Sequence, residues 1–342
     1  MLHLISSETM MTLNNPKQAS TLGDWAYIAV EKHFNKTIKH EAEVLKDEDP
    51  EALHQMRVGM RRLRTAVTGF APALDLPLAA QEKQIGRIAR ILGELRDLDV
   101  LKEALENQYL PALPKSEKKV INTALDYLEK KRIDTFKKVK KTLAGKSNYQ
   151  KLTQAFHDWF KEPKYQVTAQ LPILEVLPDL LLPEISNILL HPGWLVGIER
   201  DENGIRPKAN LDHQAVEEQL HQQGELLHDL RKQAKRVRYQ MELFIDFYSE
   251  TYDAYCKDVK KIQEVLGNIQ DSVVLGEFLM EALQTEKAKL PDNLSKELAE
   301  TRYQAWQEWQ VLQEKYLTFS VRQSFHLELL QPTGLPVKVA EN

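Results

Sequence analysis

The segment from Leu53 to Phe70 reads LHQMRVGMRRLRTAVTGF and places four arginines and a histidine within twelve residues. The segment from Leu227 to Phe244 reads LHDLRKQAKRVRYQMELF and repeats this arrangement. At about 100° per residue, a histidine and three cations of each segment share a stripe roughly 80° wide, opposite an apolar face. Each segment is therefore predicted to be an amphipathic helix with a cationic ridge. The first ridge is His54, Arg57, Arg61 and Arg64, and the second is His228, Arg231, Lys235 and Arg238.

The two ridges belong to an internal repeat with a constant offset of 174 residues. The same offset relates the segments LGELRDLDVL and LGNIQDSVVL, which follow the two ridges. The matched positions include His54/His228, Arg57/Arg231, Arg61/Lys235, Arg62/Arg236, Arg64/Arg238, Lys83/Lys257, Arg87/Lys261, Gly93/Gly267 and Asp97/Asp271. Two unrelated basic helices are not expected to match without a gap over about fifty residues, so a duplication is predicted.

Composition and periodicity both favour an all-α fold. The chain has 342 residues, is 42% hydrophobic and 28% charged, and contains only 13 glycines. That balance is typical of a soluble helical protein with a sizeable core. The residues Asp49, Pro50 and Glu51 predict the start of the first ridge helix, because they combine a capping side chain with proline at the first helical position. Asn203 and Gly204 predict the turn of a short hairpin.

The expected organisation has five parts. A tail at 1–20 precedes a first helical half at 21–160, and a proline-rich connector at 161–210 leads to a second helical half at 211–320. A C-terminal tail is expected at 321–342. Asp97 and Asp271 are expected near the starts of following helices, where they would cap the helix or hold basic side chains of the ridge in place.

Net charge and cysteine content exclude several classes of protein. The formal net charge is −4, so a polyanion would have to be recognised by local clustering of cations. Cys256 is the only cysteine, which excludes an intramolecular disulfide and a multi-cysteine metal site. The longest apolar run contains three prolines and several acids, and no leader segment is evident, so a cytoplasmic protein without a membrane span is expected.

The ridges favour anion binding over a solvated surface. Acidic residues are nearly absent from both segments, whereas solvated helix faces normally mix charges of both signs. At about 7 Å and an effective dielectric near 20, each pair of like charges costs roughly 2 kcal/mol. Further cations at Lys83, Arg87, Lys257, Lys260 and Lys261 suggest a linear or multivalent polyanion. Neighbouring cations should push the two ridge histidines towards neutrality, which would make them pH-dependent donors.

The doubled pattern HxxRxxxRRxR and HxxRxxxKRxR, each followed by an LGxxxD segment, resembles the CHAD family, the conserved histidine α-helical domain. The resemblance covers roughly residues 22–320. It implies two pseudo-symmetric helical bundles around a basic central channel, binding of inorganic polyphosphate, and association with polyphosphate granules. The residues carried over as polyphosphate-binding are His54, Arg57, Arg61, Arg62, Arg64, Lys83, Arg87, His228, Arg231, Lys235, Arg236, Arg238, Lys257 and Lys261.

Two departures from the family pattern shape the functional expectation. Some relatives carry an N-terminal triphosphate-tunnel hydrolase domain, for which the leading residues here leave no room, so binding without catalysis, cofactor or metal is expected. In addition, Arg96 and Asp99 become Gln270 and Val273 in the second half, which predicts an asymmetric ligand track.

Three alternatives to polyphosphate binding stay open. Nucleic acid is the first, although the ridges lack the interleaved aromatic residues on which bases stack. A scaffold for acidic protein partners is the second. A phosphate-transfer enzyme ranks last, because the ridges contain neither metal-binding carboxylates nor a nucleophile. The lysine-rich stretch at 129–141 is either a solvated face or an extension of the anion track through Lys131, Arg132 and Lys138.

Overall fold

The computed structural model describes residues 19–145, 147–202, 204–284 and 290–334. Its described part is all-α apart from one short hairpin, as the composition predicts. The helices are α1 (Leu22–Ile38), α2 (Glu41–Lys46), α3 (Pro50–Gly69), α4 (Glu82–Ala104), α5 (Leu110–Ala112), α6 (Lys115–Leu143), α7 (Asn148–Lys161), α8 (Ile173–Leu189), α9 (His213–Leu243), α10 (Glu250–Leu283), α11 (Asp292–Leu317) and α12 (Phe319–Leu329). A π-helical turn at Leu105–Tyr109 joins α4 to α5.

Both ridge helices have the amphipathic character that their sequences predict. Helix α3 begins where the capping signal placed it, with the Asp49 carboxylate accepting a hydrogen bond of 2.8 Å from the Glu51 amide. The side chains opposite each ridge are fully buried, and they include Met56, Met60 and Leu63 on α3 and Leu230, Val237 and Met241 on α9. Burying these faces fixes the rotation of each helix and therefore the direction in which its cations point.

The helices pack in the same order in each half of the chain. Helix α3 packs between α1 and α4, and α4 packs on α6; likewise α9 packs between α8 and α10, and α10 packs on α11. The halves meet where α3 contacts α9, with the rings of Phe70 and Phe244 edge to face at 5.2 Å. One hydrophobic core runs through this contact. A second hydrophobic cluster joins α6 to the C-terminal part of α10 and the N-terminal part of α11.

Helices α4 and α10 run without a break through the two LGxxxD segments. The expectation that Asp97 and Asp271 cap new helices is therefore wrong. Both residues lie inside a continuous helix, one turn after Gly93 and Gly267, respectively. Tertiary packing against these glycines, described below, overrides their low intrinsic helix propensity.

The connector at 161–210 is more ordered than its proline content predicts. Helix α8 accommodates Pro178 and Pro183 and buries an i, i+4 series of apolar side chains that begins at Ile173 and Leu177. The amide of Ile173 donates to the carbonyl of Ser20 at 3.0 Å, which fastens the start of α8 to the segment before α1. The connector thus forms part of the core.

A hairpin forms in the connector where the sequence predicts one, but Gly204, which was expected in the turn, is the first residue of β2 and pairs with Asp201. Strands β1 (Ile198–Asp201) and β2 (Gly204–Pro207) pair antiparallel. Gly204 has a φ of +120°, a conformation that glycine adopts without strain. Asn203, the other predicted turn residue, lies outside the described residues.

The expected C-terminal tail at 321–342 is a helix over its first part. Helix α12 buries Phe325 and Leu329, which are four residues apart, and the Phe325 ring stacks on Tyr255 at 4.2 Å. Apolar anchoring of this kind holds a terminal helix in place. Residues 335–342, and 1–18 of the expected N-terminal tail, lie outside the described residues. Within the described ranges, no helix is both long enough and apolar enough to cross a membrane.

Candidate functional site

A cleft of about 1420 Å³ lies between α3, α4 and α9. Nine basic and two acidic side chains line it, so the lining has an excess of basic groups, although four of them form ion pairs: Arg57, Arg64, Lys232 and Arg236. The basic residues are Arg57, Arg61, Arg64, Lys83, Arg87, Arg90, Lys232, Lys235 and Arg236, and the acids are Asp75 and Glu82. We call this feature the basic cleft. It draws on both halves of the chain, because α3 and α4 belong to the first half and α9 to the second.

Helical spacing explains why these cations converge. Arg57, Arg61 and Arg64 are four and three residues apart on α3, and so are the three cleft cations of α4. Such spacing places side chains on a single face of a helix. On α9 the cleft face is formed by Lys232, Lys235 and Arg236, which are three or four residues apart or adjacent, and of these only Lys235 matches a cleft residue of α3 at the constant offset. Three helical faces of one sign therefore surround one cavity.

The LGxxxD segments hold one arginine of each ridge in place. The Arg57 guanidinium lies against Gly93, where an added Cβ atom would be 3.5 Å from its Nε atom, and it forms an ion pair with Asp97 at 3.2 Å. The glycine leaves room for the guanidinium, and the aspartate one turn later binds it. This confirms that Asp97 holds a ridge side chain.

The second half contains the same arrangement. Arg231 pairs with Asp271 at 3.3 Å, and a Cβ atom at Gly267 would lie 3.3 Å from the Arg231 Nε atom. We call each set of arginine, glycine and aspartate an arginine cradle. The two cradles explain why glycine and aspartate recur four residues apart at the constant offset.

Lys235 is partly buried among arginines in the basic cleft. Burial is the largest cause that lowers the pKa of Lys235, and the charges of Arg57, Arg231 and Arg61 lower it further, to about 8. Asp97 opposes this effect. A cation in such surroundings loses part of its favourable solvation and gains little from its neighbours, so a bound anion would stabilise its charged form.

Tyr239 is the aromatic residue among the side chains that line the basic cleft. Arg61 lies over its ring at 4.2 Å from the centroid, and Arg238 lies at 5.2 Å. The residue is 8% exposed, so guanidinium groups and packing take up its surface. These cation–π contacts orient Arg61 across the boundary between α3 and α9.

The two ridge histidines lie outside the lining of the basic cleft. Burial lowers the pKa of His54, and Arg96, Arg61 and Arg57 lower it further while Glu51 raises it. The pKa of His228 is also lowered, first by burial and then by Lys232 and Arg231. Both imidazoles are thus shifted towards neutrality, as the sequence predicts, although burial contributes more than the neighbouring cations.

Several predicted site residues are not brought into the shared cavity. Arg231 pairs with Asp271 of α10, and Arg238 binds Glu242 of its own helix α9 at 2.7 Å and Gln263 of α10 at 3.1 Å. Lys257 pairs with Asp253 at 2.7 Å, and Lys261 pairs with Glu308 at 2.5 Å. Lys257 and Lys261 therefore lie on α10 with acidic partners and outside the lining of the cleft, whereas their matched residues Lys83 and Arg87 line it.

Arg62 and Arg236 occupy unequal positions in the two halves. Arg236 lines the basic cleft and pairs with Glu184 at 3.2 Å. Arg62 is exposed on the side of α3 that faces α1. The internal repeat did not predict Arg90 and Lys232 as site residues, yet both line the cleft. Their signal was helical spacing, since each lies three or four residues from a cation already on the cleft face.

The basic stretch at 129–141 contributes to structure through two of its residues. Arg132 donates to both oxygens of Asp47 at 2.8 and 2.7 Å and to Asp99 at 2.7 Å, which ties α6 to α4 and to the end of α2. Lys131 pairs with Glu281 at 2.9 Å. Asp99 therefore binds a side chain of the first half, and the matching position of the second half is Val273.

Two further features bear on the chemistry that the chain can perform. Across the described ranges, no group of three or more histidine, cysteine, aspartate or glutamate side chains could hold a metal ion. Cys256 is buried, and burial is the main cause that raises the pKa of its thiol to about 11. The thiol is therefore protonated at neutral pH.

One family model and two curated proteins match the sequence of this chain. A model of the CHAD domain matches residues 28–280. Two Mycobacterium tuberculosis proteins, the uncharacterized proteins MT2285 (strain CDC 1551 / Oshkosh) and Rv2226 (strain ATCC 25618 / H37Rv), are each 24% identical over 232 residues. The match covers 68% of this chain but only 40% of each relative. The chain thus spans about two fifths of the length of these relatives.

Two solved structures share the fold. The crystal structure of the CHAD domain from the plant Ricinus communis superposes with a TM-score of 0.57 at 22% identity, over 91% of this chain and 92% of that chain. PptA from Streptomyces chartreusis superposes with a TM-score of 0.56 at 13% identity, over 90% of this chain and 99% of that one. At these identities, the likeness establishes the fold alone.

Proposed function

Because the chain belongs to the CHAD domain family, we propose that it binds inorganic polyphosphate in the basic cleft. The observation that carries the proposal is the convergence of nine cations and only two acids from three helices on one cavity of about 1420 Å³. A single phosphate needs two or three donors, whereas this lining suits a chain of phosphates. The arginines bind phosphate oxygens in pairs, and the lysines act as mobile point charges.

Polyphosphate suits the cleft better than nucleic acid does. Both polymers offer phosphates to the same cations, and both would bind with a steep salt dependence. Single-stranded nucleic acid gains much of its affinity from bases stacked on aromatic rings. The Tyr239 ring is covered by Arg61 and Arg238, so it offers no free face to a base. Polyphosphate has no bases, so its affinity does not depend on a free aromatic face.

The proposal includes a duplicated origin and a non-catalytic role. The two arginine cradles and the common packing order of the halves support duplication. After duplication, the first half kept free cations on α4, while the matching lysines of α10 acquired acidic partners. Binding without catalysis would direct the protein to polyphosphate granules, as the family resemblance implies.

The test compares matched sets of cations on α4 and α10. The cleft variant carries Lys83→Gln, Arg87→Gln and Arg90→Gln, all exposed residues of one helical face. Its control carries Lys257→Gln, Lys260→Gln and Lys261→Gln, which are exposed on α10 and paired with acids. Polyphosphate and single-stranded DNA are titrated into each protein at matched phosphate and salt concentrations.

The cleft variant should lose at least about tenfold in polyphosphate affinity. The slope of the logarithm of its binding constant against the logarithm of the salt concentration should be smaller in magnitude by about two to three. The control should change by less than about twofold, because its lysines are already neutralised by neighbours. Equal losses in both variants would move the site away from the basic cleft. Tighter binding of DNA than of polyphosphate by the unmodified protein would favour the nucleic-acid alternative.

A further inference from the structure

A second group of basic residues lies where α1 crosses α3. The crossing is close, because a Cβ atom added at Gly59 would lie 2.8 Å from the Thr37 Oγ1 atom and 2.9 Å from the Thr37 backbone nitrogen. Arg62 follows Gly59 by three residues on α3. Lys32, His33 and Lys36 precede Thr37 on α1. We call Lys32, His33, Lys36 and Arg62 the α1–α3 patch.

The charges of this patch are not balanced by local acids. Lys32 and Arg62 are exposed, and Lys36 is partly buried. Among the ion pairs formed within the described ranges, none involves Lys32, Lys36 or Arg62. In contrast, the exposed cations of α10 have acidic partners within 4 Å. The patch therefore offers its positive charge to solvent or to a ligand.

Burial adds to the electrostatic cost of the unoccupied patch. It lowers the pKa of His33 to about 4, with further lowering by Arg62, Lys32 and Lys36. The Nδ1 atom of His33 is buried and has no hydrogen-bond partner. The pKa of Lys36 is lowered first by burial and then by Arg62 and Arg61, while Glu51 opposes the shift. An anion nearby would offset this repulsion.

The patch adjoins the basic cleft through consecutive residues of α3. Arg61 lines the cleft, and Arg62 points about 100° further round the same helix. The charged residues that lower the pKa of Arg61 include both Arg57, in the cleft, and Arg62, in the patch. Two cationic surfaces of different depth therefore lie side by side on one rigid helix.

We propose that the α1–α3 patch is a second contact site for the same phosphate chain, so that a long polyphosphate occupies the cleft and the patch together. This inference rests on the proposed function of the cleft. Linking two sites by one polymer makes the second binding step intramolecular and raises the affinity without new contacts in the first site. Tripolyphosphate has only three phosphates, which the cations of the cleft can bind by themselves, so it gains little from the patch. The patch thus selects for chain length.

The experiment measures binding of tripolyphosphate and of long-chain polyphosphate to three proteins. The first is the unmodified protein. The second is the patch variant with Lys32→Gln, Lys36→Gln and Arg62→Gln. The third is a control with the same loss of charge on α6, carrying Lys130→Gln, Lys137→Gln and Lys141→Gln, which are exposed lysines remote in sequence from both surfaces. Thermal unfolding of each variant verifies that the fold is retained.

The patch variant should lose about tenfold in affinity for the long chain and less than twofold for tripolyphosphate. The α6 control should change by less than twofold with either ligand. Equal losses with both ligands would mean that the patch acts only through its long-range field, and unchanged long-chain binding would mean that it makes no contact. Either result overturns the inference while the cleft proposal stands. Failure of the unmodified protein to bind either ligand would instead overturn the proposed function and the inference with it.

Discussion

At the scale of single residues, Lys235 differs from its counterpart in a way that affects chemistry. It matches Arg61 of the first half at the constant offset, and both residues line the basic cleft. A guanidinium stays charged at any pH the protein tolerates, whereas an ammonium among cations does not. Burial and the charges of Arg57, Arg231 and Arg61 place the pKa of Lys235 at about 8. Lys235 can therefore link ligand binding to proton uptake.

The sign of this linkage follows from the two states of Lys235. Well below its pKa of about 8 the side chain is protonated with and without ligand, so binding takes up almost no proton there. Above pH 8 the free side chain loses its proton, and a bound phosphate chain restores it. Polyphosphate affinity should fall as the pH rises from 8, by up to about tenfold per pH unit. Calorimetry in two buffers of different ionisation enthalpy would measure the proton taken up.

The matched variant for this prediction is Lys235→Arg, which keeps the charge and removes the titration. Its affinity should be nearly constant between pH 8 and 9.5. The ridge histidines do not interfere, because burial lowers the pKa of His54 and of His228 from 6.5. A Lys235→Arg variant with the same pH dependence as the unmodified protein would assign the proton to another group.

At the scale of helices, glycines decide how closely elements approach. Gly59 lets α1 lie directly on α3, with backbone and hydroxyl atoms of Thr37 within 3.0 Å of the position of a Cβ atom. Gly224 lies within α9, and nothing lies within 4 Å of the corresponding position. The two residues occupy the same kind of helical backbone, yet their substitution should have opposite effects.

Gly59→Ala should destabilise the fold by about 1–3 kcal/mol, because the added methyl group would force apart two helices that cannot yield as a side chain would. Gly224→Ala should stabilise it by roughly 0.5–1 kcal/mol through helix propensity alone. Chemical denaturation at equilibrium gives both values. Similar changes in both variants would show that the α1–α3 crossing is not as tightly packed as the distances imply.

The sequence predicted those structural features that depend on a few adjacent residues. The start of α3 at Asp49 and Pro50, the buried faces of the ridge helices and the hairpin at Gly204 all follow from a few adjacent residues. Breaks near Asp97 and Asp271 were predicted for the same kind of reason, and here tertiary structure prevailed. The Arg57 guanidinium lies against Gly93, and this contact joins two different helices, α3 and α4.

The composition of the site depended on acidic partners that the repeat alone does not reveal. The repeat predicted site roles for both Lys83 and Lys257. Only Lys83 lines the basic cleft, and Lys257 pairs with Asp253, four residues earlier on the same helix, which is a local pattern. Lys261 pairs with Glu308, which lies on α11. That second pairing depends on how two helices pack together, and no local pattern predicts it.

At the scale of the whole molecule, the two halves share one core. Buried residues of both halves belong to a single cluster that includes the contact between Phe70 and Phe244. The basic cleft also takes its walls from both halves. Neither half can therefore open without disturbing the site.

Thermal unfolding should be a single cooperative transition, because the shared core couples the halves. Long-chain polyphosphate at about one hundred times its Kd should add about 2.7 kcal/mol of stability and raise the Tm of this transition. Differential scanning calorimetry measures both. Two separate transitions, with only one responding to the ligand, would contradict the coupling of the halves through their common site.

The arginine cradles have a consequence for the behaviour of the protein in ordinary salt. Asp97 and Asp271 act as built-in counterions for Arg57 and Arg231, each fixed by the helix that carries it. Chloride only screens these exposed ion pairs, whereas a row of tethered phosphates competes with the carboxylates through many contacts at once. Single anions in solution are therefore expected to leave Arg57 and Arg231 paired with their aspartates, and a multivalent anion is needed to replace these partners.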